Sequence, residues 1–247
     1  MTETNTNGAE KKRRILLKVS GEGFCPANAR GIAMDSVNHL ARQIVKVAQT
    51  GVQVAVVMGG GNILRGGQFK ATDGADTLKE STAHYMGMLA TVMNGLALLD
   101  AVEAIGQPAR LMSALEAKAV AEPYIARRAR RHLEKGRVVI LAGGTGSPFV
   151  TTDTAAAQRA LDLECDAVLK ATKVRGVYTA DPEKDPNAVF LPELTYDEAI
   201  SRGLRVMDVE AFAKCKEHKM PIQIFNMRED GNLEKAAIGE KVGTLIH

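Results

Sequence analysis

The sequence predicts an α/β protein, a three-layer αβα sandwich around a mostly parallel central sheet. Three observations carry that prediction. Short β-branched apolar runs alternate along the chain with longer segments of helical periodicity, the pattern of strands buried on both faces and joined by helices. Two of those runs end abruptly in glycine clusters, Gly59-Gly60-Gly61 and Gly143-Gly144-Thr145-Gly146, that lead into further helix. No Pro/Ser-rich linker and no block of like charge divides the 247 residues. Residues 13–247 therefore read as a single domain behind a polar tail, residues 1–12, expected to be disordered.

Residues 15–19 (ILLKV) are the first strand, interrupted by Lys18. A lysine inside a buried strand is costly unless its ammonium meets a partner, so Lys18 is a candidate for an anionic ligand; the competing reading is an edge strand with a snorkelling side chain. Residues 25–31 form a loop, and 34–49 a helix stopped by Gly51. The run 52–57 is the second strand. Its glycines let an anion approach the backbone, residues 62–65 are expected to open a helix towards it, and Arg65 offers a guanidinium fork for phosphate oxygens. Residues 66–80 read as a mobile surface loop beside that site. From 81 to 105 the residues Tyr85, Met88, Leu89, Val92, Met93, Leu96 and Leu99 recur at helical spacing, the methionines as core filler.

Strands at 108–112 and 138–141 flank a basic helix at 124–135, whose Arg127, Arg128, Arg130 and Arg131 read as a solvated face. The second glycine loop, 142–153, precedes a helix at 154–161 capped by Thr151, Thr152 or Asp153. Residues 167–182 read as strand, turn at Gly176 and strand. Helices at 195–202, 207–219 and 233–238 and strands at 222–225 and 243–246 complete the chain.

Composition removes several function classes. The formal charge of +3 is too small to argue for a nucleic-acid partner. No unbroken apolar run approaches the roughly 18 to 20 residues of a membrane span, so no membrane partner and a cytoplasmic location are expected. Cys25, Cys165 and Cys215 lack C-x-x-C spacing and read as reduced, buried thiols; His39, His84, His132, His218 and His247 form no metal-ligand pattern, and no residue is assigned as a metal ligand. The P-loop pattern G-x-x-x-x-G-K-[ST], a complete G-x-G-x-x-G and the G-x-S-x-G elbow are all missing from the sequence. What remains is two glycine loops at the carboxyl ends of strands, the cations Lys18 and Arg65, and the acids Asp153 and Asp208 at or near helix starts. That set suits phosphoryl transfer between two polyanionic ligands, where catalysis is mostly positioning and neutralisation of charge.

The segments KVSGE (18–22), VVMGGGNILRG (56–66), YMGMLATVMNGLAL (85–98), GTGSPFVTTD (144–153) and LKATKVRGVYTADP (169–182), with the closing FNM and GTLI, resemble the bacterial UMP kinases (uridylate kinases) of the amino acid kinase superfamily. The likeness covers about residues 14–246. It implies one amino acid kinase domain, a homohexamer, transfer of the ATP γ-phosphoryl group to UMP with Mg2+, and GTP and UTP as activator and inhibitor. By resemblance Lys18, Val19, Ser20 and Gly21 contact ATP, with Lys18 on the transferring phosphoryl group. Gly60 and Gly61 lie between donor and acceptor, so a Gly60→Val chain is expected to fold and lose turnover, and Arg65 holds the UMP phosphate or the group in transfer. Thr145, Gly146, Ser147, Pro148, Phe149, Val150, Thr151 and Thr152 bind UMP, while Thr172, Tyr178 and Asp181 contact the adenine nucleotide. Asp153 and Asp208 orient Lys18 and the metal rather than act as bases. One departure stands out: His84 occupies the place of an aspartate that binds the UMP ribose in the family. Either His84 takes that contact, or Asp76 or Glu80 folds back to make it. Loop 26–31 resembles the family's GTP-activation region loosely. The rival readings are a kinase for acidic amino acids and a nucleotide-binding regulator without turnover.

Overall fold

Arg14–Val19 (β1) is buried along its whole length because it lies in the middle of the sheet, parallel to Gln53–Met58 (β2) on one side and to Ala167–Thr172 (β6) on the other. The edge-strand reading of Lys18 is thereby removed. The coordinates are a computed structural model describing residues 12–64, 78–204 and 206–247. Arg65, Asp76 and nearly all of the expected tail and surface loop lie outside the described residues.

The other strands are Ala109–Ser113 (β3), Glu122–Pro123 (β4), Val138–Ala142 (β5), Val177–Tyr178 (β7), Phe190–Leu191 (β8), Glu193–Leu194 (β9), Ile222–Asn226 (β10) and Thr244–Ile246 (β11). Nine strands make one sheet in the order β4-β3-β5-β2-β1-β6-β10-β11-β9, and among its described pairings only β10 with β11 is antiparallel. The helices are Met34–Gln49 (α1), Glu80–Ala104 (α2), Ala126–Glu134 (α3), Thr152–Asp162 (α4), Tyr196–Ser201 (α5), Val209–Glu217 (α6) and Asn232–Ile238 (α7). Strand alternation divides the interior in two. Ile15, Leu17 and Val19 of β1 face a core completed by α1, α2 and α7, whereas Leu16 faces one completed by α3, α4, α5 and α6. Lys18, two residues beyond Leu16, therefore projects towards the α4 layer. Ala155, Ala156, Ala157 and Ala160 of α4 are fully buried; such small side chains let the helix lie close against the sheet.

Some local expectations are corrected. The segment 61–64 is a single turn, with Ile63 and Leu64 N–H groups both donating to Gly60 O at 3.0 Å, rather than a helix start among the described residues. The strand, turn and strand expected over 167–182 are present as β6, the turn before Val177 and β7, and β7 pairs antiparallel with β8 in a ribbon of its own. Two-residue strands such as β4 and β9 are too short to leave a periodic trace. Burial divides the residues at helical spacing on α2: Met88 and Val92 are in the core, but Tyr85, Leu89 and Met93 are 43%, 52% and 52% exposed, because the helix is apolar on two faces and the sheet covers one. By length and composition α2 could cross a membrane, which counting unbroken apolar runs does not reveal; in the fold it packs on α1, β3 and β5. The three cysteines are buried and free, and burial pushes the Cys165 and Cys215 thiols up to about 12, which keeps them protonated and unreactive.

Candidate active site

Lys18 and Lys170 are register partners on adjacent parallel strands, so their side chains leave the same face of the sheet side by side. Two buried ammonium groups so placed repel each other, and the fold answers with one carboxylate. Asp153, in the first turn of α4, stands 2.8 Å from Lys18 Nζ through Oδ1 and 2.6 Å from Lys170 Nζ through Oδ2; the three side chains are only 10–15% exposed. Burial pushes the Asp153 carboxyl up, but the two ammonium groups outweigh it and hold the group below its ordinary value. For Lys170, burial pushes the ammonium down, Asp153 pulls it back, Lys18 adds to the lowering, and the net direction is down. One positive charge is left over, beside the N-terminus of α4, where an anion is favoured. Lys170 was missed from sequence, although a lysine inside the run AVLK carries the same signal as Lys18.

Asp208 has a different task. It is the N-cap of α6, with Oδ1 accepting from Ala211 N at 2.8 Å and from Thr154 Oγ1 at 2.8 Å, while Oδ2 accepts from Thr151 Oγ1. Thr151 in turn caps α4, accepting from the Asp153 and Thr154 N–H groups at 3.1 Å each. The Thr151 hydroxyl is thus occupied within the protein, and its carbonyl accepts from Ala155 N at 3.0 Å. Asp208 acts through this chain, anchoring the turn that carries Asp153. Beside the cluster opens a cavity of about 640 Å³, polar at Thr152, Asp153, Lys170 and Asp208 and apolar at Ile200, Leu204, Val206, Met207 and Phe212. That is the size and lining of a small-ligand site.

The glycines of the first loop differ in what requires them. A Cβ on Gly59 would come 3.0 Å from Gly21 N, and one on Gly21 would lie 2.6 Å from both Asn62 Oδ1 and Gly61 N. On Gly60 it would meet Gly87 O at 2.6 Å and Ala90 Cβ at 2.9 Å. Gly60 is therefore required by packing against α2, and the expectation that Gly60→Val folds does not survive this geometry. At Gly61 a Cβ meets no described atom within 4 Å, so packing among the described residues does not require this glycine.

In the second loop, Gly143, Gly144 and Gly146 all have positive φ, and so does Phe149 at 65°, a conformation that costs a non-glycine residue energy. Phe149 is 62% exposed, its ring centroid 4.9 Å from that of His84, the fifth residue of α2. The fold thus brings His84 to the loop of residues 145–152, while Glu80 is exposed at the start of the same helix. Arg159, also missed from sequence, supports the loop from below: it donates to Gly144 O at 3.0 Å, pairs with Asp162 at 3.1 Å and lies 3.8 Å over the Tyr124 ring. Thr145 Oγ1 accepts from Ser147 N at 3.3 Å.

The remaining predicted residues lie at the ends of β1 and β6 and on the segment beyond β6. Val19, Ser20 and Thr172 line a second cavity of about 470 Å³ that also includes Glu22, Pro26, Ala27 and His39. Thr172 Oγ1 is turned to Val174 O at 2.7 Å. Tyr178 meets the Phe190 ring edge-on with centroids 5.5 Å apart, and Asp181 is exposed in the following turn, accepting from Glu183 N at 3.0 Å.

A doubly wound sheet whose strand ends carry a lysine pair, a carboxylate and two glycine loops defines a kinase that uses no P-loop, and the chain belongs to the amino acid kinase family, which matches residues 13–226. Among its relatives are uridylate kinases. The chain is 50% identical over 236 residues to the chloroplastic uridylate kinase PUMPKIN of Arabidopsis thaliana, covering 96% of this chain and 69% of that protein. The UMP kinase of Bacillus anthracis superposes with a TM-score of 0.90 at 34% identity, covering 95% of this chain and 96% of that one. For the UMP kinase of Ureaplasma parvum the values are 0.88 and 33%, covering 96% and 99%.

Replacing Gly60 by Ala is expected to destabilise the fold by about 1–3 kcal/mol, from overpacking against α2, whereas Gly61→Ala stays within about 0.5 kcal/mol of the parent and loses most turnover; urea denaturation beside initial rates separates the two. Asp153→Asn leaves two buried ammonium groups without their anion and is expected to cost about 3–5 kcal/mol at pH 7. Because the Asp153 carboxyl is held below its ordinary value, its stabilisation is complete above the unfolded-state value near pH 4 and fades as pH falls through the lower folded value. The gap between parent and variant should accordingly close on acidification, and a gap independent of pH would show that the ion pairs do not carry the effect.

Proposed function

We propose that the chain is a UMP kinase, moving the γ-phosphoryl group of ATP to the phosphate of UMP to give ADP and UDP, with its reaction centre at Lys18, Asp153 and Lys170. The observation that carries this reading is the pair of buried lysines in register on β1 and β6, tied by a single carboxylate. Phosphoryl transfer asks the protein for positioning and for cations where charge develops. Lys18 meets the transferring group, Lys170 keeps Asp153 turned to the pair, and Asp153 stays ionised and engaged. No base is needed, since the attacking phosphate oxygen of UMP is already ionised near neutral pH.

The adenosine of ATP is assigned to the 640 Å³ cavity, whose apolar wall suits a base and whose polar end is the lysine cluster. Thr172, Tyr178 and Asp181 follow on the segment that leaves β6 and are assigned to the same nucleotide. Its phosphates cross the ends of β1 at Lys18 to Gly21 towards Gly61, and Arg65, outside the described residues, is assigned to them by resemblance. UMP takes the second loop, read by Thr145 to Thr152, with His84 beside Phe149 on its sugar side. Magnesium arrives with ATP: among the described residues no three His, Cys, Asp or Glu side chains gather into a metal site, and Asp153 has an ammonium on each oxygen, so phosphate oxygens and water would hold the ion. When bound it neutralises charge on the β- and γ-phosphates. A homohexamer is proposed with the bare apolar face of α2, Tyr85, Leu89 and Met93, as one subunit contact. GTP as activator and UTP as inhibitor are carried as proposals, the first at loop 26–31. We place the enzyme in the cytoplasm; the Arabidopsis relative is, by its name, chloroplastic.

An ADP-coupled assay with UMP, CMP, GMP, aspartate and glutamate tests the acceptor. UMP should be preferred by on the order of 100-fold or more, and turnover on an amino acid without turnover on UMP would overturn the assignment. For the assembly, Leu89→Lys with Met93→Lys should yield a smaller species by light scattering with the protomer still folded; an unchanged mass would remove α2 from the interface.

A further inference from the structure

Two buried polar side chains one turn apart on α2 each hold one of the two glycine loops, and the reaction described above uses neither. Asn94, fully buried, donates through Nδ2 to the Gly59 carbonyl at 2.8 Å and to Asn62 Oδ1 at 2.8 Å, and its Oδ1 accepts from Asn62 Nδ2 at 2.9 Å. Thr91, 2% exposed, donates from Oγ1 to Met88 O at 2.6 Å, and the same oxygen accepts from Gly143 N at 2.7 Å. An amide and a hydroxyl in the core of an otherwise apolar helix are costly unless every polar atom is satisfied; a helix that only had to fill the core would carry alanine or leucine there. The backbone contacts agree. A Cβ on Gly60 would strike Gly87 O at 2.6 Å, and one on Gly144 would reach Met88 Cγ at 4.0 Å, so the same two turns of α2 touch both loops.

We infer that residues 87–94 of α2 are a spacer that fixes the separation of the donor-side and acceptor-side loops, with Asn94 the positioning residue for the first and Thr91 for the second. The inference rests on the reading that these loops receive the phosphates of ATP and UMP. In-line transfer is sensitive to that separation, a displacement near 1 Å costing on the order of 100-fold in rate. Neither side chain touches substrate. Each acts by holding a loop whose glycines leave its position otherwise weakly determined. The reciprocal Asn62–Asn94 pair also ties the first loop to the 26–31 segment, since Asn62 Nδ2 donates to Gly31 O at 2.8 Å.

The test uses the full-length enzyme and compares Thr91→Val, which keeps shape and removes the hydroxyl, with Thr91→Ser, which restores it, reading kcat and both KM values. Thr91→Val should raise the KM for UMP about tenfold with the KM for ATP unchanged within about twofold, and Thr91→Ser should return to the parent. Asn94→Ala should lower kcat about 100-fold with the KM for UMP near the parent's; if that variant does not fold, the threonine pair alone decides. Equal shifts in both KM values, unchanged kinetics in Thr91→Val, or a serine that fails to rescue would overturn the spacer. An active parent with flat Thr91 kinetics removes only this inference, whereas a parent without activity on UMP removes the function beneath it.

Discussion

The carboxylate of Asp153 between two buried ammonium groups is the constraint to which the rest of the structure answers. Lys18 and Lys170 stand side by side only because β1 and β6 are adjacent and parallel in register, and their charges can be buried only if an anion lies within reach of both. The anion comes from the start of a helix, so α4 must begin over the ends of those strands. Thr151 fixes that start as its cap, and Asp208 fixes Thr151 from the next helix. The alanines of α4 bring it down onto the sheet. A buried ion triad is a poor source of stability by itself, since desolvation offsets most of the attraction. Its value lies in holding two cations and a carboxylate at defined places, which an apolar core could not supply.

The two glycine loops answer to a second constraint, close approach. Gly21, Gly59 and Gly60 are small because backbone packs on backbone there, at distances a side chain would violate. Gly61 alone of the first triplet points a missing side chain at space clear of described atoms. Such loops hold few apolar contacts of their own and take their position from neighbours: Arg159 beneath Gly144, Thr91 on Gly143 and the Asn62–Asn94 pair on Gly59. In a uridylate kinase that position determines whether donor and acceptor phosphates meet in line.

The elements legible in the sequence were those with a long or unambiguous pattern. The central strands and helices α1 and α2 followed from periodicity, and Lys18 stood out because a charge within an apolar run demands a partner. Lys170 carried the same mark, but it stands at the end of the short run AVLK, where a charge looks like a strand end. The pairing of β7 with β8, twelve residues further on, is too short to announce itself. Arg159 and Asn94 were illegible for another reason: each looks like ordinary helix composition until the neighbouring loop is in place.

By itself, the sequence determined the α/β class, the two glycine loops, the lack of a P-loop and the residues that resemble the uridylate kinases, because these depend on residue type and spacing along one segment. Tertiary structure decided which groups meet. It set Lys170 beside Lys18 and made Asp208 the cap of α6 and the anchor of Thr151. It also assigned Gly60 to packing and Gly61 to the open side, and brought His84 against Phe149. Those outcomes rest on register and on the placement of helices across the sheet, long-range contacts whose energies no single segment records.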